Sequence, residues 1–129
     1  MQCIISALKS ESQPIIDSFG LKRNNSFPFP VYQNQNISQL IVGVGKKNVE
    51  QRISTFFNHY KYINMYFINI GIAGGGKDNS KIGELYLINK IIDDQTKKYF
   101  FPDILANTTI AEHSITTVNQ SVSNGGGSY

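Results

Sequence analysis

The sequence predicts an α/β fold, a mixed, largely parallel sheet with flanking helices. Three observations carry that expectation. Two β-rich apolar runs, 38–44 and 65–70, bracket a stretch over 47–60 in which Val49, Ile53, Phe56 and Phe57 fall at i, i+4, i+7 and i+8, one helical stripe. Strand, helix, strand at that spacing is a βαβ unit, right-handed with parallel strands. An apolar opening run, 2–8, is followed by a second helical pattern. The length of 129 residues, 40% hydrophobic and 16% charged, suits one globular domain able to bury a core.

The elements follow in order. Residues 2–8 read as a short buried strand. Ser10 is a candidate N-cap for a helix over 12–19, with Pro14 in its first turn and Ile15, Ile16 and Phe19 on its apolar face. Gly20 is a helix stop. Residues 21–26 form a basic, polar loop. Phe27-Pro28-Phe29-Pro30 is too rich in proline for a central strand, which puts Val31-Tyr32 on an edge or after a turn. Asn34-Gln35-Asn36 separates it from the strand at 38–44, which Gly45 ends. After the glycine cluster at 71–76, Lys77-Asp78-Asn79-Ser80 reads as a polar turn. Residues 84–92 are β-rich, Asp93-Asp94-Gln95-Thr96 makes a turn, and 97–101 returns as the second arm of a hairpin. Ile115-Thr116-Thr117-Val118 is the last β candidate. The domain is expected over 1–122, with a flexible Gly/Ser-rich end at 123–129.

Composition excludes several classes. The net charge of +3 comes from scattered lysines with no basic block, so nucleic acid is not an expected partner. No apolar run reaches membrane-spanning length, and Lys9, Ser10 and Glu11 break the first one too early for a signal peptide. The single cysteine, Cys3, sits in an apolar strand and reads as core; a cytoplasmic setting is the simplest expectation.

Phosphate and metal motifs fail on inspection. A P-loop at Gly45-Lys46 would need glycine at Leu40 and a hydroxyl at Lys47. Gly43-Val44-Gly45 joins strand to helix but lacks the third glycine of a dinucleotide fingerprint, and the next strand ends in Asn69-Ile70 with no acid for a ribose diol. His59 and His113 have no ligand partners at metal spacing. No cofactor and no metal are expected. Glu11 stands out. Lying past the first strand, it is either an acid favoured by a helix N-terminus or a carboxylate at the carboxyl edge of a parallel sheet. Open α/β folds bind ligands at that edge, and there it could orient or deprotonate a water.

Four segments now line up. Ile4-Ile5-Ser6-Ala7-Leu8-Lys9-Ser10-Glu11, Val42-Gly43-Val44-Gly45-Lys46, Ile68-Asn69-Ile70-Gly71-Ile72-Ala73-Gly74-Gly75 and Lys81-Ile82-Gly83-Glu84 resemble, in order, four motifs of the nucleoside phosphorylase/nucleosidase superfamily. That superfamily includes the methylthioadenosine/S-adenosylhomocysteine nucleosidases and futalosine hydrolases. The resemblance covers roughly residues 2–95. It implies cleavage of the N-glycosidic bond of a purine-type nucleoside through an oxocarbenium-like transition state. By the resemblance, Glu11 holds the attacking water, Leu8 lines the ribose pocket, and Ile72, Ala73, Gly74 and Gly75 lie under the nucleoside and nucleophile, with Gly43 and Gly45 shaping the pocket through their backbone.

The departures are informative. Ile72 replaces a Ser or Thr that related enzymes often use to bind phosphate or hold the nucleophile. The 43–47 loop lacks the arginine many phosphorylases place there, and Lys46 is only a point-charge substitute. Both favour hydrolysis over phosphorolysis. The later Met-Glu-x-Glu or Asp-Met-Glu-Ala stretch, whose Glu holds the ribose hydroxyls, and the Ser-Asp that supplies the leaving-group acid do not occur in the 129 residues. The domain therefore reads as truncated, completed by a homo-oligomer or a complementing chain, with the apolar 27–31 segment a candidate contact. The alternative is a non-catalytic nucleoside-binding or assembly module derived from the same family.

Overall fold

Residues 2–6 and 37–41 carry adjacent apolar side chains, Cys3-Ile4-Ile5 and Leu40-Ile41, a pattern for strands covered on both faces. The computed structural model, which describes residues 1–61, 63–76, 80–103 and 108–118, places them side by side. The chain divides into two compact units, Met1–Ile72 and Ala73–Tyr129.

The first unit contains β1 (Gln2–Ser6), α1 (Lys9–Phe19), β2 (Lys22–Arg23), β3 (Val31–Gln33), β4 (Ile37–Ile41), α2 (Lys46–His59) and β5 (Tyr66–Asn69). The sheet order is β2-β3-β4-β1-β5. β1 runs parallel to both β4 and β5, while β2, β3 and β4 are joined antiparallel. The β4–α2–β5 unit thus leaps over β1, and the two strands it connects flank β1. The sheet is mixed, as expected from the sequence, with its parallel part at β4, β1 and β5.

Alternation along β1 and β4 sends Cys3, Ile5 and Leu40 to one face. There they pack with Phe27, Phe29, Val31, Val42 and Phe56, supported by Val49 and Ile53 of α2. Aromatic rings join across this core, Phe27 to Phe56 at 5.4 Å and Phe56 to Tyr60 at 5.0 Å between centroids. Burial pushes the Cys3 thiol above its ordinary pKa, the expected state of a structural core cysteine. On the opposite face Ile4, Ser6, Gln39 and Ile41 are also buried, along with Ser12 and Ile16 of α1. Gln39 Nε2 donates there to the Ile4 and Leu40 carbonyls and to Ser6 Oγ, which ties β4 to β1.

Three expectations change. The apolar side chains that suggested a partner contact at 27–31 are already engaged: Phe27, Phe29 and Val31 are buried in the chain's own core, because α2 brings Phe56 and Tyr60 onto Phe27. The first helix begins at Lys9, ahead of the expected 12–19 span, and Leu8 instead of Ser10 occupies the N-cap. The Glu11 carboxylate reaches back to the Leu8 N–H at 2.9 Å, so the third helical residue caps the end from inside. Pro14 consequently sits in the second turn, inside the helix, where it leaves the exposed Ser10 without a helical donor to its carbonyl. Gly20 does stop the helix, in the left-handed region at φ 60°. Residues 22–23 of the expected loop form β2.

The second unit contains β6 (Tyr86–Asp93), β7 (Tyr99–Phe100) and β8 (Ala111–Thr117), in the order β7-β6-β8. β6 and β7 make the expected hairpin, and β8 pairs parallel to β6. Residues 77–79 of the expected 77–80 turn and the end at 123–129 lie outside the described residues. Among the described residues, no helix is long and apolar enough to cross a membrane.

Candidate functional site

The carboxyl ends of three neighbouring strands converge in the first unit. Parallel pairing continues past the regular strands: the Ile70 N–H donates to Ile5 O at 2.9 Å, Val42 N–H to Ser6 O at 2.9 Å, and Gly43 N–H to Ala7 O at 3.1 Å. These bonds place residues 6–8, 42–45 and 70–72 along one edge, where the chain leaves each strand. That is the edge at which open parallel sheets bind ligands, because backbone groups there are no longer consumed by the ladder.

Glu11 organises this edge. One carboxylate oxygen, Oε1, accepts the Leu8 N–H, and the other, Oε2, accepts the Ile72 N–H at 2.9 Å. The side chain therefore performs the bland role read from the sequence, capping α1, and also ties the helix to the end of β5. Each carboxylate oxygen retains a second lone pair, so the group can still accept from a water or hydroxyl. Gly71 makes the approach possible, since a Cβ there would come within 3.3 Å of Glu11 Oε2. Gly71 was visible in the motif but carries no site role in the sequence reading; its signal is a glycine one residue before the carboxylate's partner.

Around the carboxylate lie exposed apolar side chains. Leu8 is 50% exposed and Ile72 86%. An apolar rim with a single anionic acceptor suits a ligand with a hydrophobic body and a few hydroxyls. Gly43 and Gly45 shape the third side. Their φ values, 75° and 96°, lie where side chains are strained, and this lets the chain turn sharply from β4 into α2. Gly43→Ala is expected to cost about 1–2 kcal/mol in urea unfolding of the protein; an unchanged midpoint would show that the turn relaxes freely.

Charge at the site is sparse. Lys46 is exposed and lies 3.9 Å from Glu50, a weak surface pair. Arg52, further along α2, reaches back to the β4 end, with Nη1 donating to Ile41 O at 2.9 Å. Sequence reading, confined to the 43–47 loop, missed it. Ala73, Gly74 and Gly75 belong to the second unit and are exposed. Gly75 is packed so that a Cβ would meet Ser80, with Cβ–Cβ at 2.7 Å. Of the residues proposed from sequence, the first unit brings together Leu8, Glu11, Gly43 and Ile72, with Gly45 opening α2 beside them. Among the described residues, no group of three or more His, Cys, Asp or Glu is placed to hold a metal ion.

No family model matches the chain, and no curated protein sequence matches it. Solved structures do. A Borrelia burgdorferi protein assigned to the 5′-methylthioadenosine/S-adenosylhomocysteine nucleosidases, solved with adenine bound, is 25% identical with a TM-score of 0.75, over 96% of this chain and 68% of that one. A Chlamydia trachomatis nucleosidase of this class is 19% identical with a TM-score of 0.71, over 97% and 64%. The Colwellia psychrerythraea enzyme, also with adenine, is 17% identical with a TM-score of 0.74, over 92% and 62%. The chain has the fold of the nucleoside phosphorylase/nucleosidase superfamily, and it spans about two thirds of the length of these structures.

Proposed function

We propose that this chain carries the nucleophile side of a nucleosidase site, cleaving the N-glycosidic bond of a purine-type nucleoside by hydrolysis. The observation that supports it most is the Glu11 carboxylate, held at the carboxyl edge of the sheet by the Leu8 and Ile72 N–H groups. In the reaction, a water accepted by Glu11 attacks C1′ of the ribose as the C1′–N bond breaks. The bonding electrons leave with the base, and the water's proton passes to the carboxylate. The developing positive charge on the ribose favours a nearby anion. Protonation of the departing base falls to a group outside this edge, on a further copy, a complementing chain or a further segment.

Leu8 lines the ribose and Gly43 and Gly45 open the backbone around it. Ile72 lies at the floor in this reading, and Ala73, Gly74 and Gly75 keep only the role that the family resemblance implies. Ile72 offers no hydroxyl to phosphate, and the 43–47 loop offers no arginine, so water is favoured as nucleophile. The small molecule is the expected partner, without metal or cofactor, and the cytoplasm the expected setting.

The test uses methylthioadenosine in phosphate-free buffer, with and without added phosphate. Adenine release is expected at the same rate in both, with free methylthioribose as co-product. Release that requires phosphate would replace hydrolysis by phosphorolysis. Adenine alone is expected to raise the melting temperature, as any native-state ligand does, with about 2.7 kcal/mol gained at a hundred times its Kd. A second reading, a binding module without turnover, draws on the fact that both Glu11 oxygens already bond backbone N–H groups. It predicts the adenine shift and no adenine release.

A further inference from the structure

We propose that Arg52 is a positioning residue of the site, acting as the hydrogen-bond donor that Pro30 lacks. β3 and β4 pair antiparallel with Val31 opposite Leu40 and Tyr32 opposite Gln39, which puts Pro30 opposite Ile41. The Ile41 N–H donates to Pro30 O at 3.1 Å. In an antiparallel pair of this kind the opposite residue returns the bond. Proline has no N–H, so the Ile41 carbonyl would go unpaired at a point where Ile41 itself is buried. Arg52 fills the gap, its Nη1 donating to Ile41 O at 2.9 Å.

The guanidinium is fixed from two further sides. It lies 5.6 Å from the centroid of the buried Phe29 ring, and its Nη1 would be 3.5 Å from a Cβ on Gly43. A planar, delocalised cation suits this place, stacked on a ring while donating in its plane. The consequence runs along β4. Ile41 is followed by Val42, whose N–H bonds Ser6 O, and by Gly43, whose N–H bonds Ala7 O beside Leu8. Holding the Ile41 carbonyl therefore holds the 43–45 turn against the segment that leads to Glu11. The consequence for ligand rests on the nucleosidase reading; the geometry does not.

The experiment is a double-mutant cycle on the protein, read by amide hydrogen exchange at Gly43 and by adenine affinity. Arg52→Met keeps an aliphatic stem for Phe29 and removes the donor. It is expected to speed Gly43 exchange about tenfold or more and weaken adenine binding about tenfold. Pro30→Ala restores a backbone N–H opposite Ile41. Combined with Arg52→Met, it is expected to return both readouts to within about threefold of the starting protein. Gly43 exchange unchanged by Arg52→Met, or a double variant no better than the single, overturns the proposal. Should Arg52→Met fail to fold, folding of the double variant supports the proposal and its failure refutes it. If the unaltered protein binds no adenine while Gly43 exchange follows the cycle, the nucleosidase reading falls and the positioning role stands.

Discussion

Glu11→Gln is expected to slow adenine release about 10²–10⁴-fold, the range for removing a positioned general base, while adenine affinity stays within a few-fold. The amide keeps the size of the carboxylate and one acceptor oxygen, so one of the two N–H bonds, to Leu8 or to Ile72, survives. The other N–H loses its acceptor, and a modest loss of stability accompanies the loss of turnover. Glu11→Ala removes both bonds and is expected to cost more stability, about 1–2 kcal/mol for the lost cap alone. Comparing the two separates chemistry from architecture. A purely structural Glu11 would lose stability in both variants and leave turnover unaffected in whatever fraction remains folded. Full turnover in Glu11→Gln would remove this residue from the reaction. Loss of adenine binding alongside turnover would instead make Glu11 a ligand contact.

Phe56→Ala is expected to destabilise the protein by about 3–5 kcal/mol, a fall in melting temperature of roughly 15 °C or more. Phe56 is fully buried beneath the sheet, touching Phe27 and Tyr60. Truncation removes ring contacts and leaves a cavity bounded by α2, the 27–31 segment and the β1–β4 face, none of which can collapse without breaking strand pairing. Phe57→Ala is the internal control. It is 51% exposed and stacks loosely on Phe67, with centroids 6.4 Å apart. Its loss is expected to cost less than about 1 kcal/mol. Equal effects from the two positions in urea unfolding would mean that α2 is rotated from the orientation described.

That pair shows where the sequence stops being informative. The stripe of Val49, Ile53, Phe56 and Phe57 declares a helix and its apolar side, because periodicity is local. It ranks Phe56 and Phe57 alike, and only the sheet beneath α2 separates them. The same limit applies to 27–31. Two prolines keep residues 27–30 out of a regular strand, but Val31 opens β3, which lies between β2 and β4 and is not the expected edge strand. The segment's three apolar side chains look equally suited to a partner or to the interior. The deciding residues, Phe56 and Tyr60, lie about thirty positions away. At the first helix, Ser10 is the better capper by residue type. The carboxylate of Glu11 wins because it satisfies the N-cap N–H from within the helix and the Ile72 N–H from the same position.

The strand–helix–strand pattern, the helix stop at Gly20, the hairpin turn at 93–96 and the nucleosidase-like motifs were determined by the sequence alone. Each depends on interactions within a few residues, where backbone preference and hydrophobic period suffice. Only the tertiary structure decided that Glu11 joins the first helix to the end of the fifth strand, that Gly71 leaves room for it, and that Arg52 answers a proline's missing donor. Those facts depend on register between strands, and register brings together backbone groups that no spacing along the chain relates.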